Sequence, residues 1–273
     1  MRPVFAIRFS APWNQHWMMA DIQNLINSPP EKPLNKIYLI DTETTGRDPK
    51  EPIEVAWALF TPAADPVVHV QRFRPAGEIT LGAAVVHGIL PEELADCPPS
   101  SEASSFIPLE SGDFIVAHNV DFDYEVIGSP DGVRCIDTLG ISQYLWPEID
   151  CHKQLAVLYH LFGFEPWLRD LAKNAHSAAA DVRMLHLLAS QIVERQNLQS
   201  GGQLYNFSVL ARTHPKQIAW GKHRGKFLFS TEESEAVPSD YLQYMLTQDL
   251  NGYTRQAFVN ALAWREQASI ADD

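Results

Sequence analysis

The chain has 273 residues, 45% of them hydrophobic, and a net charge of -13 at pH 7, so we expect one main domain with a smaller module. The negative charge argues against a general nucleic-acid coat protein, because binding phosphates along a strand requires positive charge. No apolar run approaches the roughly 18 residues that span a bilayer, so we expect a soluble protein without a membrane partner. The three cysteines, Cys97, Cys135 and Cys151, have no CxxC spacing and indicate neither disulfides nor a zinc site. We therefore expect a cytoplasmic protein.

Residues 1–35 form an N-terminal extension of unknown role. Arg8 interrupts its apolar run and no small-residue cleavage pattern follows, so we do not expect a secretory signal. An organellar presequence and a translation start at Met18 or Met19 are both open alternatives.

Five runs rich in branched and aromatic residues predict five β-strands. Residues 37–41 (IYLID), 53–60 (IEVAWALF) and 67–73 (VVHVQRF) predict three consecutive strands, and 114–118 (FIVAH) and 133–137 (VRCID) predict the fourth and fifth. Helical patterns separate and follow the last two strands. They cover a stretch from about Phe122, 138–145, 154–162, about 177–195 and 204–213, and two helices close the chain. The order predicts an α/β fold with a mixed five-stranded sheet flanked by helices. We place the main domain at 36–195, a linker at 196–202, and a small basic and helical module at 203–265.

The first strand ends in the segment DTETTG, which carries two acids. Asp41 and Glu43 lie two residues apart, so their side chains project to the same face of a strand. Two carboxylates held this close repel each other unless a cation lies between them. A solvated strand end is the alternative interpretation of the two acids taken alone.

Two later segments add the same chemistry. Asp123 lies at the start of a helix in AHNVDFD, where an acid that complements the helix dipole is the ordinary alternative. Asp181 lies on the core-facing stripe of the long helix, one helical step before Leu185. His176 lies just before that helix in the sequence. It is either a structural histidine or, beside metal-bound acids, a group that accepts a proton.

Four carboxylates from three segments suit a hard divalent cation. Mg²⁺ and Mn²⁺ favour oxygen ligands, and two such ions can activate a water and stabilise the leaving oxygen in phosphodiester cleavage.

The three segments resemble the motifs of the DEDDh exonucleases, a family that includes polymerase proofreading subunits, RNase T, oligoribonuclease and exonuclease X. DTETTG, HNVDFD and HSAAAD occur in the family's order, and the resemblance covers about residues 36–195. It implies an RNase H-like fold and removal of nucleotides from 3' ends. It also implies that four acids hold two Mg²⁺ or Mn²⁺ ions, with His176 as the general base. The four acids are Asp41, Glu43, Asp123 and Asp181.

The resemblance extends to substrate contacts. Thr44 and Thr45, beside the flexible Gly46, offer hydroxyl and backbone donors near a terminal nucleotide. VVHGI resembles the segment that lines the terminal-nucleotide pocket, with His87 as the candidate contact or, equally, as a loop histidine. Asn119 and Phe122, in the second motif, are the further candidates.

Two residues depart from the family's motifs, and one further acid lies outside them. Asp121 adds an acid to the second motif, and Ala179 replaces a larger apolar residue in the third. Asp137, in CIDTL, matches no metal position of the family, and we predict that it caps the following helix.

The segment WGKHRGK, residues 220–226, is similar to FGKYRGK of the exonuclease X branch, which makes that branch the nearest match. Lys222, Arg224 and Lys226 alternate along it and Trp220 offers a stacking face, so we predict that it binds single-stranded nucleic acid. The alternative is a basic turn that pairs with the acidic run after it.

The leading functional hypothesis is a 3'-to-5' exonuclease that acts on single-stranded or frayed DNA. A 3' exoribonuclease is the close alternative, because the four acids act on the phosphate and do not contact the 2'-hydroxyl that distinguishes RNA from DNA. A non-catalytic nucleic-acid-binding or polymerase-associated subunit is the third. A homodimer, a polymerase partner and a role in DNA repair or proofreading are open.

Overall fold

The computed structural model of the protein describes residues 35–173 and 177–271. These residues divide into two units. The sheet unit comprises 35–139, 149–173 and 177–205, and the C-terminal unit comprises 140–148 and 206–271. Nearly all of the N-terminal extension, and also His176, lie outside the described residues. The predicted boundaries of the linker and module stay predictions.

The sheet unit is built on the predicted mixed five-stranded sheet. Its strands are β1 (Ile37–Thr44), β2 (Pro52–Leu59), β3 (His69–Arg72), β4 (Phe114–Ala117) and β5 (Arg134–Asp137). The strand order is β3-β2-β1-β4-β5, in which β2 is antiparallel to β1 and β3, and β4 is parallel to β1 and β5. The predicted sheet is therefore confirmed.

β1 is longer than the sequence predicted, because β2 pairs with it as far as Thr44. Thr42 lies opposite Val55 and Glu43 opposite Glu54, and the register shifts only between Glu43 and Thr44. The two acids of DTETTG therefore belong to a paired central strand rather than to a loose strand end.

Helices surround the sheet and follow it, and two short 3₁₀ turns, Pro91–Leu94 and Ser100–Ser105, lie between β3 and β4. The α-helices of the described residues are α1 (Leu81–His87), α2 (Val120–Val126), α3 (Thr138–Leu145), α4 (Gln154–Phe162), α5 (Pro166–Ala172), α6 (Ala178–Arg195), α7 (Gly201–Thr213), α8 (Ser239–Leu246) and α9 (Gly252–Ala271). The predicted bounds of α3 and α4 are confirmed. The sequence analysis missed α5, where Pro166 occupies the first turn and pre-sets a helical φ.

Alternation along β1 assigns its two faces. Tyr38 and Ile40 enter a buried apolar cluster with residues of β2, β4 and the start of α2. Residues of the opposite parity, which include Asp41 and Glu43, share the other face. α6 packs against both β1 and β2, and α4 packs against α6.

The C-terminal unit has its own apolar core. Its buried members are Ile218, Leu228, Val237, Leu242, Phe258 and Ala261. α8 and α9 pack against each other there. Among the described residues, no helix combines the length and the apolar character that crossing a membrane requires.

Candidate active site

The site begins on β1, where Asp41 and Glu43 occupy same-parity positions of a central strand. Both residues are half-buried. Their position is fixed by antiparallel pairing with Ala56 and Glu54 on β2. A paired central strand is a precise support for two carboxylates, because the pairing with β2 fixes the backbone from which both side chains project.

The third carboxylate comes from the first turn of α6. Ser177 caps this helix by accepting a hydrogen bond from the backbone N–H of Ala180. A buried stripe that includes Val182, Leu185 and Leu188 fixes how α6 is rotated. Carboxylate oxygens of Asp41, Glu43 and Asp181 then lie within 4.8 Å of one another, and this group could hold a metal ion.

The fourth acid, Asp123, lies on α2 and is buried. The hydroxyl of Thr42, between the two β1 acids in sequence, donates to Asp123 Oδ1 at 2.8 Å. This bond ties α2 to β1 and fixes the orientation of the carboxylate. The structure therefore brings Asp41, Glu43 and Asp181 together, and Asp123 lies near enough for its charge to act on Asp41 and Glu43. The roles of all four acids in catalysis stay predictions.

The clustering changes the acidity of these groups. Burial raises the pKa of Glu43 to about 8, and the charges of Asp181, Glu54 and Asp123 act in the same direction. Burial raises the pKa of Asp123 to about 7, although the Thr42 hydroxyl opposes the change. Burial and then the Asp123 charge raise the pKa of Asp41 well above its ordinary value. Carboxylates crowded in this way are what a divalent cation would stabilise.

Glu54 is a residue of this site that the sequence analysis missed. It is buried on β2, directly opposite Glu43. One of its oxygens, Oε1, accepts from the backbone N–H of Ala178 at 3.1 Å, and the other, Oε2, pairs with Arg72 Nε at 2.8 Å. Glu54 thereby fastens the first residue of α6, and hence Asp181, to the sheet. The available signal was an acid inside the otherwise apolar run IEVAWALF.

The loop after β1 is held by its own threonines. The Thr44 hydroxyl donates to the Gly46 carbonyl at 2.8 Å, and the Thr45 hydroxyl donates to the Pro49 carbonyl at 3.1 Å. Gly46 has a φ of +154°, and a Cβ there would lie 3.0 Å from Thr80, so this position requires glycine. Both hydroxyls are engaged inside the loop, and substrate contact by Thr44 and Thr45 stays a prediction.

His87 lies at the C-terminal end of α1, half-buried. Its Nδ1 accepts from the backbone N–H of Ile89 at 3.0 Å. Burial lowers the pKa of the ring, against the opposing effects of the Thr44 backbone and the Glu54 charge. A neutral ring that accepts at Nδ1 carries its proton on Nε2. His87 therefore lies near Thr44 and Glu54 as a neutral donor, and its contact with a nucleotide stays a prediction.

The turn into α2 contains the remaining candidates. Asn119 has a left-handed backbone, with a φ of 88°, and its N–H donates to Asp137 Oδ1 at 2.9 Å. The same oxygen accepts from the N–H of Leu139 at 3.1 Å, which confirms Asp137 as the cap of α3. Phe122 is half-buried with the Lys50 ammonium 5.0 Å from its ring centroid. Asn119 and Phe122 stay predictions as substrate contacts. His176, predicted as the general base, lies outside the described residues, and its role stays a prediction.

Comparison with known proteins supplies an independent test of the fold. No family model and no curated protein sequence match the chain. Exonuclease X in complex with 5' overhanging duplex DNA matches with a TM-score of 0.50 and 25% sequence identity, over 63% of this chain and 99% of that one. The zinc-bound complex of E. coli exonuclease I with single-stranded DNA matches with a TM-score of 0.51 and 20% identity, over 66% of this chain and 43% of that one. Another exonuclease I structure, described as suggesting how processivity is achieved, matches with a TM-score of 0.53 and 17% identity, over 82% of this chain and 61% of that one.

These matches confirm the RNase H-like fold that the resemblance implied. The chain spans nearly all of the exonuclease X chain but less than two thirds of the exonuclease I chains. The chain thus has the fold of exonucleases I and X, with three carboxylates gathered at its central strand and a fourth, Asp123, hydrogen-bonded to Thr42 of that strand.

Proposed function

We propose that this protein is a metal-dependent 3'-to-5' exonuclease of the DEDDh type. It releases nucleoside monophosphates from the 3' end of DNA that is single-stranded or frayed. The observation that carries the proposal is the group of three carboxylates, Asp41, Glu43 and Asp181, whose oxygens lie within 4.8 Å of one another. The buried Asp123 is bonded to the same strand. Crowded carboxylates are costly to maintain without a cation, so their presence together supports a catalytic role.

The donor set fits two Mg²⁺ or Mn²⁺ ions, because all four groups offer oxygen ligands. Bound there, the ions would supply Lewis acidity, which eases ionisation of the attacking water and neutralises charge on the departing oxygen. Asp41 and Glu43 would hold them from the strand, and Asp123 and Asp181 from the two helices.

The protein's own groups would handle the proton and the geometry. His176, two residues before α6, would accept the proton of the attacking water. The water oxygen then forms the new bond to phosphorus, and the bond to the 3' oxygen of the remaining strand breaks. Glu54 holds the start of α6, so that Asp181 stays in place during this step.

The test is release of labelled nucleotides from matched 3'-labelled and 5'-labelled single-stranded DNA and RNA, in Mg²⁺, Mn²⁺ or EDTA. The wild type is compared with Asp41→Asn and His176→Ala. We expect metal-dependent release of mononucleotides from the 3' end that both substitutions abolish. Faster degradation of RNA would reassign the substrate. Tight DNA binding without release in any metal would reject catalysis and favour a binding subunit.

A further inference from the structure

The C-terminal unit carries a basic hairpin, residues 216–228. The N–H of Leu228 donates to the Lys216 carbonyl at 3.1 Å, and the N–H of Ile218 donates to the Lys226 carbonyl at 3.0 Å. Ile218 and Leu228 are both buried in the core of the unit. The hairpin is therefore anchored at its base, and its tip is presented in a fixed shape.

Glycines shape the tip of the basic hairpin. Gly221 and Gly225 have φ values of 73° and 85°, which L side chains rarely adopt. Between them His223 turns inward, with its ring centroid 4.4 Å from that of Tyr241. Lys222 and Arg224, on either side of His223, are exposed. The tip thus directs cationic side chains outward and packs the histidine between them.

The charge of this region opposes that of the whole chain. Residues 201–230 contain five cationic residues and no acid, in a chain of net charge -13. Two of the five lie against rings of their own unit: Arg212 over Tyr253 and Lys216 over Tyr144. The other three, Lys222, Arg224 and Lys226, lie at the tip of the hairpin or directly beside it.

The acidic run after the hairpin does not neutralise its lysines. Within the described part of the chain, neither Lys222 nor Lys226 forms an ion pair with Glu232, Glu233 or Glu235. For these two lysines, this observation favours an accessible basic surface over a turn that pairs with the acidic run. Positive charge that stays accessible in an acidic protein is suited to a polyanion.

An aromatic side chain stands beside these cations. Trp220 is 41% exposed, and its ring centroid lies 6.2 Å from that of the buried Phe258. An exposed indole held against a core residue can stack on a nucleic-acid base with little loss of side-chain freedom. A single strand leaves base faces accessible for such stacking, whereas the internal bases of a duplex are stacked on one another.

We propose that the basic hairpin binds single-stranded nucleic acid. Trp220 stacks on a base, and Lys222 and Lys226 contact phosphates. The identity of this strand as the substrate rests on the proposed function; the binding itself does not. The hairpin would make affinity depend on the length of the strand.

The experiment measures binding by fluorescence anisotropy, in EDTA, with the full chain and labelled single-stranded DNA of about 4 and about 20 nucleotides. The variants are Lys222→Ala with Lys226→Ala, and Trp220→Ala. Each should weaken binding of the longer oligonucleotide about tenfold, and the lysine variant should lower the salt dependence by about 1.4 in log–log slope. Trp220→Phe should restore most of the affinity, because it keeps a stacking face.

The charge-matched control is Lys153→Ala with Arg195→Ala, two exposed cations of the sheet unit. It should bind as the wild type does. Hairpin variants that match the wild type in affinity and salt dependence would overturn the inference. A gain in affinity on changing Glu232, Glu233 and Glu235 to Gln, without any effect of the lysine variant, would also overturn it.

Failure of this inference is distinguishable from failure of the proposed exonuclease. Hairpin-dependent binding without nucleotide release would uphold the inference and reject the catalytic proposal. Metal-dependent nucleotide release, with the same KM for the hairpin variants and the wild type on the longer oligonucleotide, would uphold the catalytic proposal and reject the inference. Binding of an acidic peptide, but not of either oligonucleotide, would assign the hairpin to a protein partner and overturn the inference.

Discussion

Replacing Glu43 by Gln should stabilise the metal-free protein while destroying its metal site. Glu43 crowds against Asp41 and Asp181, and its pKa is raised from 4.5 to about 8, chiefly by burial. In EDTA, the folded protein must therefore either hold Glu43 protonated or tolerate its charge. A neutral glutamine of the same shape removes both costs.

The size of the effect follows from the pKa difference, and so does its dependence on pH. The pKa is higher in the folded state, so folding takes up a proton between pH 4.5 and about 8, and stability falls as pH rises through this window. The wild type would lose about 4 kcal/mol between about pH 5 and about pH 8.5 from this group. Glu43→Gln avoids that loss, which corresponds to a melting temperature about 8–15 °C higher near pH 8.5.

The assay is thermal unfolding followed by far-ultraviolet circular dichroism at both pH values, with and without Mn²⁺. We expect the variant to exceed the wild type in EDTA mainly at the higher pH. Mn²⁺ should stabilise the wild type more at pH 8.5 than at pH 5, and should leave the variant almost unchanged. The control with the same chemical change is Glu92→Gln, at an exposed position of the 3₁₀ turn Pro91–Leu94. A Glu43→Gln variant no more stable than wild type at pH 8.5 in EDTA would show that the carboxylates are not crowded.

Three further predictions concern single contacts. Glu54→Ala should lower kcat about 10–100-fold with little change in oligonucleotide affinity. Glu54→Gln should recover part of kcat, because its amide oxygen can still accept a hydrogen bond from the Ala178 N–H. Equal kcat in the wild type and both variants would reject the positioning role of Glu54. Gly46→Ala should cost about 1–3 kcal/mol of unfolding free energy in denaturant titrations, since its φ and the approach of Thr80 both exclude a side chain. Asp137→Ala should cost about 1–2 kcal/mol in the same titration, because two backbone N–H groups lose their acceptor, and an unchanged midpoint would contradict that reasoning.

The sequence predicted the parts of the site that repeat a local pattern. Period-two alternation identified β1 and the shared face of Asp41 and Glu43, and helical spacing placed Asp181 on the buried stripe of α6. Both patterns depend only on the periodicity of a single strand or helix, so they are visible in the sequence without knowledge of the tertiary contacts.

Contacts between distant segments were beyond a pattern of this kind. The extension of β1 to Thr44 depends on pairing with β2, and the role of Glu54 depends on a hydrogen bond to a residue 124 positions away. The engagement of the Thr44 and Thr45 hydroxyls depends on how the following loop folds back. Such contacts follow from tertiary packing, which local spacing does not encode.

The order in which the four carboxylates occur along the chain has a consequence during protein synthesis. Asp41, Glu43 and Asp123 emerge from the ribosome first, while the group near β1 also requires Asp181, and α6 must dock on the sheet to deliver it. Nascent chains that end before α6 would therefore hold an incomplete set of ligands. The proposed nuclease activity would therefore be absent from such chains and would require a folded sheet unit.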